Sequence, residues 1–261
     1  MTRQNYYKQR RRRRREQVDE RLVVELIARE RALQPHLGGR KLLHMLRAEL
    51  AAAGVKIGRD RFFEVLRRHD LLVKRKSRSV RTTDSRHGFR AYENLLRDVE
   101  LTYVHQAWMS DITYIRTDEG FLYLSLVMDG YSRAIVGFDC SDTLEREGAL
   151  RALDQALSQR PCGVETIHHS DRGSQYCCGD YVERLAAAGV SISMTQEHHC
   201  YENAHAERLN GILKQEYGLG GGFRTKAQAV RAVNEAVRLY NRRRPHQALG
   251  YRTPQSVHAA A

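Results

Sequence analysis

The sequence predicts an α/β fold, in which a mixed five-stranded sheet is flanked by helices and preceded by an all-α helix-turn-helix module. Two observations support this prediction. Apolar residues recur at helical spacing through residues 18–73, whereas from residue 104 short runs rich in β-branched and aromatic residues alternate with amphipathic segments. The resulting order β-β-β-α-β-α-β-α is typical of a mixed sheet with helices on its faces.

Residues 1–17 form a basic arm, and residues 74–100 form a polar, basic linker. The arm contains the run RQNYYKQRRRRRR. Like-charge runs of this kind are expected to lack fixed structure until they bind a partner. A solubilising tail is the plain alternative for the arm.

Residues 18–73 are predicted to be a helix-turn-helix DNA-binding domain. Its three helices are expected at 18–35, 40–52 and 58–69. The third helix is strongly basic, and Arg59, Arg61 and Arg67 on its outer side are candidate contacts to bases or phosphates. An ordinary three-helix bundle remains the alternative.

Residues 101–220 form the predicted core, and residues 221–261 form a C-terminal basic helix and tail. Strands are expected at 105–116, 121–129, 134–142, 164–169 and 190–195. Helices are expected at 146–160, 180–189, 203–217 and 225–244. The first three strands are separated by short DEG and GYSR turns, which indicate an antiparallel meander.

The 261 residues are 41% hydrophobic and 29% charged, which permits a packed core beneath a heavily charged surface. No run of about 18 apolar residues is present, so no membrane span is expected, and the N-terminus lacks the apolar stretch of a signal peptide. The five cysteines include a vicinal pair but no CxxC. This usage suits a reducing cytoplasm better than a disulfide framework.

An acidic centre lies between two basic flanks. Residues 1–100 contain 27 Lys and Arg against 13 Asp and Glu, residues 101–219 contain 9 against 17, and residues 220–261 contain 8 against 1. Basic flanks suggest a polyanionic partner, most simply nucleic acid, which would place the protein on the nucleoid. The acidic centre would repel that partner unless cations occupy it, which is a first indication of metal ions.

Three acids occupy matching positions on this framework. Asp111 lies within the first strand, Asp171 at the end of the fourth, and Glu207 on the helix after the fifth. The first and fourth strands of a mixed sheet can be neighbours with the late helix packed across them, so the three carboxylates can meet. On that helix Glu207 shares a polar face with Asn210 and Lys214. Periodicity alone leaves a solvated surface helix as the alternative.

A cluster of three carboxylates is repulsive unless cations neutralise it. Hard oxygen ligands suit Mg²⁺ or Mn²⁺, and two such ions at one site suit an in-line phosphoryl transfer. We therefore expect two Mg²⁺ or Mn²⁺ ions at Asp111, Asp171 and Glu207, which would also explain how an acidic centre accepts DNA. The histidines and cysteines near Asp171 fit no standard zinc spacing.

Five stretches of the second half of the chain form a recognisable series. They are WMSDITYI (108–115), LVMDGYSRAIVGF (126–138), HSDRGSQY (169–176), ENAHAERLNGILKQEY (202–217) and YNRRRPHQALGYRTP (240–254). Together, in this order, they resemble the OrfB-type DDE transposases of bacterial insertion sequences, whose core is similar to that of retroviral integrases and has the RNase H-like fold. Asp171 and Glu207 are separated by 35 residues, the spacing expected of this family.

The resemblance implies that Asp111, Asp171 and Glu207 are the metal-binding catalytic triad. It implies cleavage of the element's ends with water, followed by attack of the freed 3′-hydroxyl on another phosphodiester. Glu202 occupies a position where relatives often have Asp, and it is the alternative to Glu207 as the third acid of the triad. Its position at the helix edge suits a carboxylate that complements the helix N-terminus.

Further DNA contacts are expected in the C-terminal part of the chain. Lys214 resembles a DNA-contacting lysine, with a solvated lysine as the alternative. Four more side chains are candidates for salt-dependent phosphate binding: Arg242, Arg243, Arg244 and His246.

The expected partners are the terminal inverted repeats of the element and target DNA. By resemblance we also expect a homo-oligomer on paired ends and an upstream-frame protein or fusion, because the start of this chain resembles a segment interior to such a fusion. Two other hypotheses stay open at this point. One is a non-catalytic end-binding regulator or an incomplete fragment of a fusion transposase, and the other is a plain RNase H-like nuclease, which would cleave without joining.

Overall fold

The computed structural model describes residues 3–73, 90–196 and 204–260, without the side chains of residues 12–15, 17 and 18. The chain divides between Lys76 and Ser77 into two compact units, called unit 1 and unit 2 below.

Unit 1 consists of three helices: α1 (Arg3–Leu33), α2 (Gly39–Ala52) and α3 (Arg59–Arg68). Their apolar sides meet in one core, to which each helix contributes a side chain that is almost fully excluded from solvent: Ile27, Leu46 and Phe62. The expected all-helical module is therefore present. Its assignment as a DNA-binding helix-turn-helix stays a prediction.

The basic arm differs from the expected secondary structure. We expected residues 1–17 to lack fixed structure, but from Arg3 onward the backbone belongs to the first helix. Arg, Lys, Gln and Glu have favourable helix propensities, and neither Gly nor Pro interrupts the sequence before Pro35. Local propensity therefore outweighs like-charge repulsion along the arm.

Unit 2 is built on a five-stranded sheet. Its strands are β1 (Ala107–Thr117), β2 (Gly120–Asp129), β3 (Ile135–Ser141), β4 (Thr166–Ser170) and β5 (Val190–Met194). They are arranged in the order β3-β2-β1-β4-β5. The first three strands pair antiparallel, whereas β4 is parallel to both β1 and β5. The mixed sheet, the meander and the pairing of the first and fourth strands are thereby confirmed.

The helices of unit 2 are α4 (Arg146–Gln159), α5 (Ser174–Cys177), α6 (Gly179–Ala187), α7 (Ala204–Glu216), α8 (Lys226–Arg242) and α9 (Pro254–His258). Helices α5 and α9 were not expected, because four or five residues are too few to show apolar periodicity. In the described ranges, no helix combines the length and the apolar character that crossing a membrane requires.

Two apolar cores cover the two faces of the sheet. Helices α7 and α8 pack on one face with Met109 and Ile115, and helices α4, α5 and α6 pack on the other face with Trp108. Successive side chains of a strand point to opposite faces. Asp111 therefore points to the α7 side, in step with Met109 and Ile115.

Part of the predicted linker packs against the sheet instead. The backbone N–H of Leu95 donates a 2.9 Å hydrogen bond to Ser193 Oγ on β5, and Leu96 packs against the core under α7 and α8. Residues 90–100 therefore belong to unit 2, where Tyr92 and Leu96 pack against its two cores, whereas Leu95 and Val99 are exposed. Residues 74–89 of the predicted linker lie outside the described residues.

Candidate active site

Asp111 occupies the middle of β1, the central strand of the sheet. Its Oδ1 accepts a 2.9 Å hydrogen bond from the backbone N–H of Ile112, and its Oδ2 accepts a 2.6 Å hydrogen bond from Nδ2 of Asn210. The second bond joins α7 to the centre of the sheet, one helical turn from Glu207.

Asp171 directly follows β4. Because β4 runs parallel to β1 with His169 opposite Met109, Asp171 reaches the level of Asp111 along the sheet. Asp171 Oδ1 accepts a 3.0 Å hydrogen bond from the backbone N–H of Gly173, and a Cβ atom at position 173 would lie 3.0 Å from the same oxygen. A glycine at this position therefore lets the turn close tightly on the carboxylate.

Glu207 lies in the first turn of α7, where its side chain is exposed. The opposite side of the helix enters the core through Leu209 and Leu213, both of which are buried. Lys214 Nζ lies 4.5 Å from the ring centroid of Tyr114 on β1. The polar face expected from the sequence is thus the side of α7 that faces β1 and solvent.

The three acids influence one another electrostatically. Burial raises the pKa of Asp111 to about 7, and the negative charges of Asp171 and Glu207 add to this rise. The hydrogen bonds that Ile112 and Asn210 donate oppose it. Asp111 lies within β1, Asp171 just after β4 and Glu207 on α7. They are close enough for the charges of Asp171 and Glu207 to affect the pKa of Asp111.

Asp111 and Asp171 line one open cleft with a volume of about 440 Å³, and Tyr176 of α5 lines it as well. Two buried polar atoms at this place, Tyr176 Oη and Asn210 Oδ1, have no hydrogen-bond partner in the described part of the chain. Unpartnered buried polar atoms are uncommon and require an explanation, such as an ion or water that satisfies them. The cleft is therefore suited to a polar or ionic occupant.

The residues of the cleft agree with Mg²⁺ or Mn²⁺ in their chemistry. Asp111 and Asp171 offer the hard oxygen donors that these ions prefer. An aspartate whose ionisation is opposed by neighbouring negative charge is stabilised by a nearby cation. No group of three His, Cys, Asp or Glu side chains within residues 3–73, 90–196 and 204–260 is arranged to hold a metal ion, so Glu207 is near the pair without completing such a group.

Sequence reasoning overlooked two side chains of this site. Asn210 was placed on the polar face of α7 but was not assigned the hydrogen bond to Asp111. Its position three residues after Glu207, on the same helix face, was the available signal. Tyr176 was part of a quoted motif, but a tyrosine in a turn gives no sequence signal of a buried, unpartnered hydroxyl.

The histidines beside Asp171 are buried structural groups. His169 Nδ1 lies 2.8 Å from Ser193 Oγ, and His168 Nε2 lies 2.8 Å from Ser110 Oγ and 2.9 Å from Tyr181 Oη. Burial lowers the pKa of His168 to about 3, so the ring is neutral. The histidines and the cysteine at positions 198–200 lie outside the described residues.

The C-terminal candidates for DNA contact separate into two kinds. Arg242 and Arg243 are exposed at the end of α8. Arg244 is buried and makes two hydrogen bonds to Glu216 of α7, at 2.7 and 3.0 Å, and a third of 2.7 Å to His246 Nε2. This geometry favours a structural role for Arg244 and His246 over the predicted DNA contact, because Glu216 already neutralises the buried guanidinium.

The three candidate DNA contacts on α3 lie in unit 1. Arg59 is exposed and pairs with the acid next to it in sequence. Arg61 makes a 2.9 Å ion pair with Glu64 and a longer one of 3.7 Å with Glu20 of α1. Arg67 is exposed, and the described residues give it no ion pair, so its charge is the least compensated of the three.

Comparison with protein families places unit 2 in a known group. Two models of the integrase core domain match the chain, one at residues 102–200 and the other at residues 188–254. Between them they span the sheet, the cleft and helices α7 and α8.

Similar proteins occur in insertion elements. An uncharacterised 31 kDa protein of insertion element IS600 from Shigella sonnei is 36% identical over 259 residues, which is 97% of this chain and 93% of that protein. The transposase of IS629 from the same species is 33% identical and covers 81% of this chain and 71% of its own length. The transposase InsF of IS3A from Escherichia coli K12 is 35% identical, with coverages of 79% and 73%.

Among solved structures, a similar chain occurs in the cryo-EM structure of the simian T-cell lymphotropic virus intasome in complex with the PP2A regulatory subunit B56 gamma. The overlay has a TM-score of 0.52 at 15% identity and covers 88% of this chain and 73% of that chain. At this identity the likeness concerns the fold, and it agrees with the RNase H-like sheet expected from the sequence.

Proposed function

Because the chain belongs to the insertion-sequence transposases with an integrase core domain, and is therefore a polynucleotidyl transferase acting on DNA, we propose that Asp111, Asp171 and Glu207 form its catalytic site. One observation carries this proposal. The charges of Asp171 and Glu207 both act on Asp111, which burial holds at a pKa of about 7. Asp111 and Asp171 line one cleft, and Glu207 lies on the neighbouring helix α7, which supports the proposal.

The reaction we propose has two in-line phosphoryl transfers at this cleft. In the first, water cleaves a phosphodiester at the end of the element and leaves a 3′-hydroxyl. In the second, that hydroxyl attacks a phosphodiester of target DNA. Mg²⁺ or Mn²⁺, as two ions per site when bound, would supply activation of the attacking oxygen and charge neutralisation of the leaving oxygen.

The chain's own residues have distinct tasks in this proposal. Asp111 and Asp171 would hold the cations from the sheet, and Glu207 would add a third carboxylate from α7. Asn210 orients Asp111 through its 2.6 Å hydrogen bond. Lys214, on the same helix face, supplies a positive charge to a DNA phosphate beside the acids.

The partners follow from the same proposal. We expect the terminal inverted repeats to be bound by unit 1 and by the exposed arginines Arg242 and Arg243. Two ends must be held together for joining, so we expect more than one copy of the chain on paired ends.

The test is a strand-transfer assay with purified protein, labelled DNA carrying the flanks of the encoding gene, target DNA, and Mg²⁺ or Mn²⁺. We expect joined products from the wild type, and at least a thousandfold fewer from Asp171→Asn, Glu207→Gln and reactions with EDTA, since removal of a metal-binding carboxylate disables the site.

Glu202→Gln is the matched control, because it removes the same charge five residues before Glu207. We expect it to join DNA within a few-fold of the wild type. Loss of joining in Glu202→Gln together with full activity of Glu207→Gln would assign the third acid to Glu202. Specific end binding without any cutting or joining by the wild type would identify an end-binding regulator instead.

A further inference from the structure

A second cavity of unit 2 lies beside the turn between β2 and β3. It has a volume of about 520 Å³. Its walls include the turn residues Gly130 and Arg133 and, from the C-terminal segment, Gly250 and Arg252. Among the described residues, two guanidinium groups and no acidic side chain border this cavity, so it is suited to an anion.

Arg133 is the central group of this cavity. Its backbone adopts a positive φ of 64°, a conformation that costs free energy for a residue other than glycine. Its Nη1 atom is buried and has no hydrogen-bond partner within the described residues. A buried guanidinium donor left unsatisfied is costly, so the site is incomplete without an acceptor.

Asp129 is an acid whose charge acts on Arg133, but it does not accept a hydrogen bond from Nη1. Asp129 is fully buried, and both of its oxygens are engaged. Its Oδ2 accepts a 2.6 Å hydrogen bond from the backbone N–H of His105, and its Oδ1 accepts bonds from the backbone and the hydroxyl of Ser132 at 2.7 and 2.6 Å. Asp129 therefore fixes the β2–β3 turn, and the buried Nη1 atom of Arg133 has no acceptor among the described residues.

The start of α7 adds positive charge next to Arg133. The charge of Arg208 acts on Arg133. Arg208 directly follows Glu207 in the chain. The positive region thus begins one residue from a proposed catalytic acid.

We propose that the cavity binds a phosphate group of the DNA backbone, with Arg133 as the inner donor and Arg252 as the outer donor. A guanidinium is well suited to this task because its planar set of N–H groups matches phosphate oxygens. The proposal rests on the proposed function, since a DNA strand held at Arg133 leads along the start of α7 toward Glu207. Arg133 is thus a positioning residue, which does not touch the reacting atoms.

The test measures DNA binding at several salt concentrations by fluorescence anisotropy, with a labelled duplex carrying the element end. The variants are Arg133→Gln and Arg252→Gln. The control is Arg184→Gln, which removes the same charge from an exposed arginine of α6 that pairs with Asp154. We expect each cavity variant to weaken binding about tenfold at 0.1 M salt, and to reduce the slope of log K against log salt by about one, as for the loss of one phosphate contact.

Arg252 is exposed, so its variant keeps the proposal testable if Arg133→Gln does not fold. We expect Arg184→Gln to keep the affinity and the slope of the wild type. Wild-type affinity and slope in both cavity variants would overturn the proposal. A second result would also overturn it. Inorganic phosphate would raise the thermal stability of the wild type but not of Arg133→Gln, while both proteins bound DNA equally well; the cavity would then bind a free anion and not DNA.

The same experiment separates this inference from the proposed function. Asp171→Asn should bind the duplex with the affinity and salt slope of the wild type, although it joins no DNA. If the wild type itself joins no DNA while the cavity variants lose one unit of slope, the proposed catalytic function fails and the phosphate site stands.

Discussion

Asn210 of α7 donates a 2.6 Å hydrogen bond to Asp111, and this bond ties the helix that carries Glu207 to the central strand of the sheet. The bond stabilises the ionised form of Asp111 against burial and against the charge of Asp171. The ionisation of the central carboxylate therefore depends on a neutral side chain of another element.

Replacement of Asn210 by Ala should raise the pKa of Asp111 above about 7, because the donated hydrogen bond opposes the rise. A carboxylate must lose its proton before it can bind a cation. We expect the strand-transfer rate at pH 7 to fall roughly tenfold, as for the loss of one hydrogen bond to a charged group, and the optimum to move to higher pH. Asn234→Ala is the control, since Asn234 is exposed on α8 and donates a hydrogen bond to the carbonyl of Val230 within the same helix. An unchanged pH profile in Asn210→Ala would contradict the expectation.

The stability of the metal-free protein should depend on pH through Asp111. Its folded pKa of about 7 lies above its ordinary value of 3.8, so between these values the folded state holds a proton that the unfolded state has lost. The stabilising contribution is present in acid and is lost as the pH rises through about 7. Between pH 5 and pH 7.5 we expect a loss of about 2 kcal/mol, from 1.4 kcal/mol for each pKa unit.

This loss can be measured by urea unfolding in EDTA, followed by the fluorescence of Trp108. Trp108 is the single tryptophan of the sequence and is fully buried in unit 2, so it reports on that unit. In Asp111→Asn, the part of the change in unfolding free energy between pH 5 and pH 7.5 that Asp111 causes should disappear. An equal loss in the variant would show that another group is responsible.

Arg244 and Arg242 should respond differently to replacement by Ala. Arg244 is 3% exposed and donates two hydrogen bonds to Glu216, so Arg244→Ala removes both bonds from a partly buried carboxylate. We expect the free energy of unfolding to fall by about 3 kcal/mol, as for a broken buried ion pair. Arg242→Ala should change stability by less than about 0.5 kcal/mol, as for an exposed site, and should weaken DNA binding. Urea unfolding and anisotropy measure the two effects, and equal stability of the two variants would contradict the assignment.

Replacement by alanine should change the stability of unit 2 in opposite directions at two glycines. A Cβ atom at Gly137 of β3 would lie 2.0 Å from the carbonyl oxygen of Ala152, so Gly137→Ala should destabilise unit 2 by at least about 2 kcal/mol. At Gly211 inside α7, a Cβ atom would meet no described atom within 4 Å. Gly211→Ala should stabilise by about 0.5–1 kcal/mol through helix propensity. Thermal unfolding measures both changes. An unchanged or raised stability of Gly137→Ala would contradict the packing of α4 on β3, and a lowered stability of Gly211→Ala would contradict the open space at that position.

The sheet could be predicted because its signals are local. Runs of apolar residues and short turns indicate strands, and the parallel pairing of β1 with β4 brings Asp111 and Asp171 to one level. The secondary structure of the basic arm also depends on local signals, but its prediction was wrong. Charge repulsion was given more weight than helix propensity.

Contacts between distant residues could not be predicted in the same way. Arg244 lies in a run of arginines that looks uniformly exposed in sequence, and only the packing of the α8 end against Glu216 distinguishes it from its neighbours. Tyr176 is likewise buried against His168 of β4 and Tyr181 of α6, so its unpartnered hydroxyl leaves no trace in the periodicity.

The strict alternation of β1 has a consequence for the evolution of the chain. Trp108 faces one core and Asp111 the other, and three peptide units separate them. An insertion or deletion of one residue between them would turn both side chains to the same face, so that either the carboxylate would be buried under α4 and α6 or the tryptophan would turn toward α7. Descendants of this sequence can therefore change side chains in this stretch, but they are expected to keep its length.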